Sequence, residues 1–292
     1  MKGWFPKYSS IKKRKRCLYD NGFSYLFVPW TGDAEKTIPI VENAFEAGEE
    51  TAIYWLGGAG VLLNIHGTIL MIDPVLRGFD MPLLFTPPLM PEEVLKLDGL
   101  LLTHIDNDHF GKETCAALKG ICAGVYAPKY VAEEVGKLGL PAHGKGIGER
   151  FTVGSVKVTL TPAWHNWQEG IPEFSYRAWS REDYCGFRIE TPDGSIWMPG
   201  DSKLLPEQLT QPAPDLILFE FSDNDWHITF EGAVTLANAY PNADLLCIHW
   251  GTVDAPEMTP FNGEPNKLLT RVVNPERVLA LLPGEKYALK KK

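Results

Sequence analysis

Hydrophobic and polar positions change character along this chain. In the first 50 residues the pattern is irregular: a basic run, an apolar patch at 23–30, and a short helical pattern at 41–47. From Thr51 onward three short apolar runs, 52–56, 61–65 and 68–72, are separated by Gly57 and Gly58 and by His66 and Gly67. Short β-rich runs punctuated by glycine predict a meander of strands. The third run stops at Asp73 and Pro74, since proline has no N–H to extend a ladder.

Beyond this point apolar runs begin to alternate with helical patterns. The run 97–103 ends in a cluster of ionisable residues; helices are predicted at 112–118 and near 129–138, with a strand at 124–127 between them. A strand pair across 151–160 leads into an aromatic-rich stretch at 167–184, and a hairpin follows at 186–190 and 195–198 with its turn at 192–194. The last predicted elements are a buried strand at 215–221, a helix at 230–240 and a strand at 244–249. Meanders first and alternation later predict an α+β protein with two mixed sheets flanked by helices, not one doubly wound sheet. No repeat, low-complexity tract or linker is evident. The expected organisation is an irregular extension over 1–50 packing on one domain over 51–292.

Composition narrows the class. The 292 residues are 45% hydrophobic, 22% charged and 11% aromatic, which excludes a disordered or collagen-like chain. No apolar run approaches the ~20 residues of a membrane span. The formal net charge is −9, yet seven of the cations lie in residues 1–16 and three more at 290–292. Without those ten, 18 basic residues remain against 37 acidic ones, so the body sums to −19. Nucleic acid is therefore not an expected partner. The basic run could meet anionic lipid, but with no amphipathic helix beside it a solvated tail is expected. Five scattered cysteines without a CxxC pair predict neither a disulfide framework nor a cysteine zinc knot, and so a cytoplasmic protein.

The candidate chemistry is concentrated in Thr103-His104-Ile105-Asp106-Asn107-Asp108-His109. Four potential metal ligands fall within six residues directly after an apolar run, where a strand end can hold them rigidly. Imidazole and carboxylate together suit zinc, manganese or iron. Alone the cluster could be a polar loop. Downstream, however, His165 follows Thr161-Pro162-Ala163-Trp164, Asp201 sits in Pro199-Gly200-Asp201-Ser202, and His249 opens His249-Trp250-Gly251-Thr252. Each stands just past an apolar run, and four of the seven histidines occupy these motifs. Ligands from several strand ends are what a preorganised two-metal site requires.

With Trp55-Leu56-Gly57-Gly58-Ala59-Gly60 and Asp73-Pro74 added, these motifs make the chain resemble metallo-β-lactamase-fold hydrolases over about 52–252. The resemblance is to the branch of lactonases and N-acyl-phosphatidylethanolamine phospholipase D-type phosphodiesterases. It implies an αββα sandwich and two divalent metal ions. His104, Asp106 and His165 would hold the first; Asp108, His109 and His249 the second; Asp201 would bridge them. Asp73 would orient a ligand histidine from behind. One position departs from the pattern, because most members have histidine where this chain has Asp106. Three carboxylates and a hydroxide would neutralise two divalent ions, where the usual two leave +1. Zinc is the family's metal; the extra carboxylate shifts the expectation toward manganese or iron.

The implied reaction is metal-assisted hydrolysis of a phosphodiester or lactone/ester in a small or lipid-like substrate, with Asp108 accepting the proton of water. No serine or cysteine lies in an activating motif such as GxSxG. His227, before the predicted helix at 230–240, is the candidate general acid or hydrogen-bond donor; otherwise it is a loop histidine beside a helix cap. The stretch 164–187 interleaves seven aromatic residues with Arg177 and Arg181, and Arg188 follows directly after it. It suits either a substrate with an apolar part and an anion, with Trp167 and Arg181 as contacts, or an aromatic mini-core. His66 and His143, in glycine-flanked turns, are expected at the surface. The competing classes are an iron-dependent oxidoreductase on the same fold and a non-catalytic metal-binding protein. The oligomeric state is not legible.

Overall fold

The computed structural model describes residues 37–255, 258, 261 and 263–292. The basic run and the apolar patch at 23–30 lie outside them. Among the described residues, two seven-stranded sheets are formed. In spatial order the first holds β14 (Lys286–Ala288), β1 (Thr51–Gly57), β2 (Gly60–Ile65), β3 (Thr68–Ile72), β4 (Gly99–Leu101), β5 (Val125–Pro128) and β6 (Ala142–Lys145). The second holds β13 (Val278–Leu279), β12 (Asp244–Ile248), β11 (Leu216–Glu220), β10 (Gly194–Met198), β9 (Cys185–Thr191), β8 (Val156–Pro162) and β7 (Arg150–Val153). Each sheet begins as an antiparallel meander and continues as parallel strands joined by crossovers. β14 then returns to pair antiparallel with β1.

Strand periodicity sorts the apolar residues into layers, because successive side chains point to opposite faces. Ile53, Leu63 and Leu70 of the first sheet meet Val158, Phe187, Leu218 and Ile248 of the second in a buried inter-sheet core. On the other face of the first sheet, Leu62, Ile69 and Met71 pack with Leu118 of α1 (Lys112–Leu118) and Val131 and Val135 of α2 (Lys129–Lys137). On the far side of the second, Ile217, Phe219 and Leu245 pack with Ala233, Leu236 and Ala237 of α3 (Phe230–Ala239). The result is the expected αββα sandwich. The helical pattern at 41–47 forms a 3-10 turn, Glu42–Phe45, whose Ala44 and Phe45 join the core beneath the first sheet. None of the helices is long and apolar enough to cross a membrane among the described residues.

Asp193, in the β9–β10 turn, reaches across to the other sheet. Its Oδ2 accepts from the backbone N–H and the hydroxyl of Thr51 on β1, both at 2.7 Å, and lies 2.7 Å from His66 Nε2. Asp193→Ala should cost about 1–3 kcal/mol, the usual penalty for stranding partly buried donors of a charged acceptor. A lowered urea midpoint with an unchanged m-value is the expected result; an unchanged midpoint would show that the contact contributes nothing.

Candidate metal centre

The sandwich brings the sequence motifs to one edge. β3 and β4 run parallel, and β8, β10, β11 and β12 share one direction in the second sheet. Asp73, the 103–109 segment, His165, Asp201 and His249 all follow the C-terminal ends of those strands. His104, Asp106, Asp108 and His109 therefore come from the first sheet, and His165, Asp201 and His249 from the second.

The residues meet in overlapping groups. Ligand atoms of His104, His165 and Asp201 lie within 4.8 Å of one another, as do those of Asp108, His109 and His249. Asp201 also reaches the second group: its Oδ2 lies 3.2 Å from His109 Nε2 and 3.5 Å from His249 Nε2. Its Oδ2 thus lies between the two groups. Asp106 Oδ2 lies 3.2 Å from His104 Nε2 and 3.3 Å from His165 Nε2. All the histidines here are buried; of the carboxylates Asp108 is the most open, with 21% of its side chain exposed.

The supporting contacts fix which ring nitrogen is free. Asp73, fully buried, accepts from the Thr103 N–H at 2.8 Å and the Thr103 hydroxyl at 2.5 Å, and its Oδ2 lies 2.8 Å from His109 Nδ1. The same hydroxyl lies 2.9 Å from His104 Nδ1, and His165 Nδ1 donates to the Trp226 carbonyl at 3.0 Å. In each ring Nδ1 is engaged by a supporting contact and Nε2 faces the centre, the orientation of metal-bound imidazoles. His249 also directs Nε2 inward, 3.3 Å from Asp108 Oδ2. Its backbone takes φ +61°, and its N–H donates to the Gly58 carbonyl at 2.7 Å. Gly57, beside it, has φ +91° and a Cβ there would strike the Phe85 ring, while Gly58 turns at φ +55°, so this turn requires its glycine pair. Asp73 is likewise held at φ +43°, strain of the kind that collects at functional sites.

Electrostatics tell the same story. Burial pushes His249 down, but Asp201 and Asp108 outweigh it and hold the ring up to about 9. His109 and His165 are raised in the same way, against burial, by Asp201 and Asp108 and by Asp106 respectively. Burial opposes ionisation of Asp106, Asp108 and Asp201, yet His104 in the first case and His109 in the other two lead the neighbours that hold them low. The cluster demands positive charge. Asp201 Oδ1 is moreover buried without a hydrogen-bond partner, so imidazole lone pairs and an orphaned carboxylate oxygen converge. Such a donor set fits divalent ions.

His227 also reaches the centre, with Nε2 3.0 Å from Asp201 Oδ2. Asn224 Oδ1 accepts from the backbone N–H groups of Trp226 and His227, so it must also be the acceptor for His227 Nδ1 at 2.9 Å. Burial pushes this ring down to about 4, although Asp201 pulls the other way. It is therefore neutral, protonated at Nδ1, with a bare Nε2. The donor role expected from sequence must begin with uptake of a proton there.

Two expected substrate contacts are placed differently. Trp167 lies at the centre, but its indole N–H donates to Asp106 Oδ2 at 2.6 Å, and the ring packs on Phe174 at 4.8 Å. Arg181 pairs with Glu207 at 3.0 Å on the surface and bonds to none of the site residues. The interleaved arginines serve the loop itself: Arg177 binds Asp183 and stacks on Tyr130, and Arg188 binds Glu190. The aromatic rings of the stretch contact one another but are mostly half-buried, with Tyr176 exposed. Gln168, not singled out from sequence, donates to Asp106 Oδ1 at 2.6 Å and accepts from the Tyr184 hydroxyl at 2.8 Å. Both Asp106 oxygens are thereby aimed. Glu220, read only as part of a strand, is buried beside Asp201 and His249. His66 and His143 are exposed, as expected. Burial pushes the thiols of Cys115 and Cys122 up to about 12 and about 11, which leaves neither a nucleophile.

An open groove of about 380 Å³ lies beside His227, walled by Lys203, Leu204, Ile228 and Thr229. A larger one, about 750 Å³, lies between α2 and the aromatic loop and contains none of the metal-site residues.

Fold and site together define a metallohydrolase built on two sheets, and comparison with known proteins agrees. The sequence model of the Beta-lactamase superfamily domain matches residues 68–250. A UPF0173 metal-dependent hydrolase of Methanosarcina barkeri is 28% identical over 243 residues, 81% of this chain and 98% of that protein. The N-acyl-phosphatidylethanolamine-hydrolyzing phospholipase D 1 of Caenorhabditis elegans is 22% identical over 252 residues, 75% of this chain and 69% of that one. Among solved structures, Igni18, a metallo hydrolase of Ignicoccus hospitalis, superposes with a TM-score of 0.65 at 18% identity, covering 83% of this chain and 99% of its own. The chain belongs to the β-lactamase superfamily, as a metal-dependent hydrolase on the metallo-β-lactamase fold.

Proposed function

We propose that this chain uses two divalent metal ions to hydrolyse a phosphodiester or a lactone/ester in a small or lipid-like substrate. The observation that carries this reading is the convergence of the His104, His109, His165 and His249 Nε2 atoms on carboxylates shared through Asp201. His104, Asp106 and His165 hold one ion, Asp108, His109 and His249 the other. When bound, such ions acidify water and stabilise the charge that builds at the attacked carbon or phosphorus. Asp108, the most accessible ligand carboxylate, takes the proton from the attacking water. His227 accepts a proton at Nε2, held in register by Asn224, and returns it to the leaving oxygen. Asp108 releases its proton to solvent and His227 draws one from solvent, so water is added across the cleaved bond with no net change in protons.

The groove beside His227 is the place for the substrate, with Lys203 supplying a cation on its wall and Leu204 and Ile228 apolar surface. Asp106 adds a hard oxygen donor, which favours manganese or iron over zinc. The same donor supports a second reading, an iron-dependent oxidoreductase. The test is metal analysis of protein purified without added metal, paired with turnover of a generic phosphodiester and a panel of lactones. Two ions per chain and turnover of one substrate class are expected. Bound metal without turnover of either class would overturn hydrolysis of these bonds and favour the oxidoreductase.

A further inference from the structure

We propose that Glu220 is an eighth donor of the metal centre, joining the ion held by Asp108, His109 and His249; this rests on the metal-centre reading above. The placement begins with strand parity. Leu216 and Leu218 of β11 point into the inter-sheet core, and Ile217 and Phe219 point away toward α3. Glu220 shares the inward parity at the C-terminal end of the strand, where the ligands gather. Its neighbours on both sides carry site residues. β10 leads to Asp201, and on β12 Glu220 stands opposite Ile248, the residue before His249. Donor atoms of Glu220, Asp201 and His249 lie within 4.8 Å of one another.

The surroundings of this carboxylate are otherwise unsuitable. The residue is 5% exposed, and its Oε1 has no hydrogen-bond partner. No lysine or arginine pairs with it among the described residues, whereas Asp201, itself with an orphaned buried oxygen, is an immediate neighbour. Two acids brought together out of water repel one another, and although Ser222 bonds to Glu220 and two imidazoles meet Asp201 Oδ2, one oxygen of each carboxylate is left without a partner. A divalent cation between them and His249 supplies the missing charge and occupies the bare oxygens at once. The centre then comprises four imidazoles, His104, His109, His165 and His249, and four carboxylates, Asp106, Asp108, Asp201 and Glu220. Four carboxylates would balance the +4 of two divalent ions before any hydroxide is added, and a bound hydroxide would leave the centre at −1. So oxygen-rich a set favours manganese or iron over zinc beyond the effect of Asp106 alone.

The test uses the full chain and its Glu220→Gln and Glu220→Asp variants. Affinities for Mn²⁺ and Zn²⁺ are read by chelator competition, and melting temperatures are taken with and without metal. Gln keeps the shape and removes the charge; Asp keeps the charge and withdraws the oxygen by one methylene. Both variants should bind the second ion at least ~10-fold more weakly, since even loss of a group that merely supports a ligand costs that much. Without metal, Glu220→Gln should melt at or above the parent, because a buried acid pressed against Asp201 is replaced by a neutral amide, and its metal-induced rise in melting temperature should be smaller. Unchanged affinity for both ions in Glu220→Gln would overturn the assignment. So would an equal loss of melting temperature with and without metal, which would mark a purely structural role. If the parent chain binds neither ion, the metal-centre reading itself fails; if it binds both and the variants match it, only the role of Glu220 does.

Discussion

Asp201→Ala should empty both metal positions at once, whereas removal of any single histidine should weaken mainly one. Asp201 belongs to the first ligand group, its Oδ2 lies within 3.5 Å of two histidines of the second, and its other oxygen has no hydrogen-bond partner. Without it His109 and His249 lose the carboxylate nearest their Nε2 atoms, and the two ions lose the anion that screens them from each other. Loss of a supporting contact already costs 10–100-fold in affinity or activity, so loss of the shared ligand should exceed about 100-fold. Metal content should fall from two ions per chain to below one. Asp201→Asn, which keeps the shape, should fold normally and show the same loss. Retention of two ions by either variant would remove Asp201 from the bridging position.

The second large effect is a reversal of pH dependence on metal binding. In the metal-free protein His109, His165 and His249 are all raised by neighbouring carboxylates, His249 to about 9. A raised folded pKa means that the folded state binds protons more tightly. The stability this supplies is complete below the unfolded value near 6.5 and is lost as pH rises toward about 9. For His249 alone the difference is roughly 3 kcal/mol. Metal ions compete with those protons, so the stabilisation they confer must grow as pH rises. Calorimetric melting at pH 6 and pH 9 should show the chelator-treated protein losing stability and the metal-loaded protein gaining on it. Parallel pH profiles for the two forms would contradict the assignment of these rings as ligands.

Much of this centre is legible in the sequence because its ligands follow strands that announce themselves. The runs before His104, Asp201 and His249 are continuously apolar since those strands are buried on both faces. α1 and α3 likewise begin where their patterns predict, at Lys112 and Phe230. What the pattern misses is what it cannot encode. β6 reads Ala-His-Gly-Lys, half-buried or exposed at every position on a sheet edge, and so carries no apolar signature. β14 acquires its identity only by pairing with β1, more than 200 residues earlier. The roles of Trp167 and Gln168 depend on a fold that brings them onto Asp106, about 60 positions away in the chain. Arg181, expected at an anion because arginine beside aromatics suits one, pairs at the surface with the nearby Glu207. Glu220 left a readable trace, an acid within an otherwise apolar strand.

The division of the ligands between the sheets has a mechanical consequence. His104, Asp106, Asp108 and His109 ride on one sheet; His165, Asp201 and His249 ride on the other. Ions held as proposed would therefore clasp two layers that otherwise touch mainly through interlocked side chains such as Leu63, Phe187 and Leu218. Any slide of one layer over the other changes the spacing between donors. Close-packed interiors transmit such shifts, so the volume of a side chain buried far from the edge becomes a means of tuning how tightly the ions are gripped.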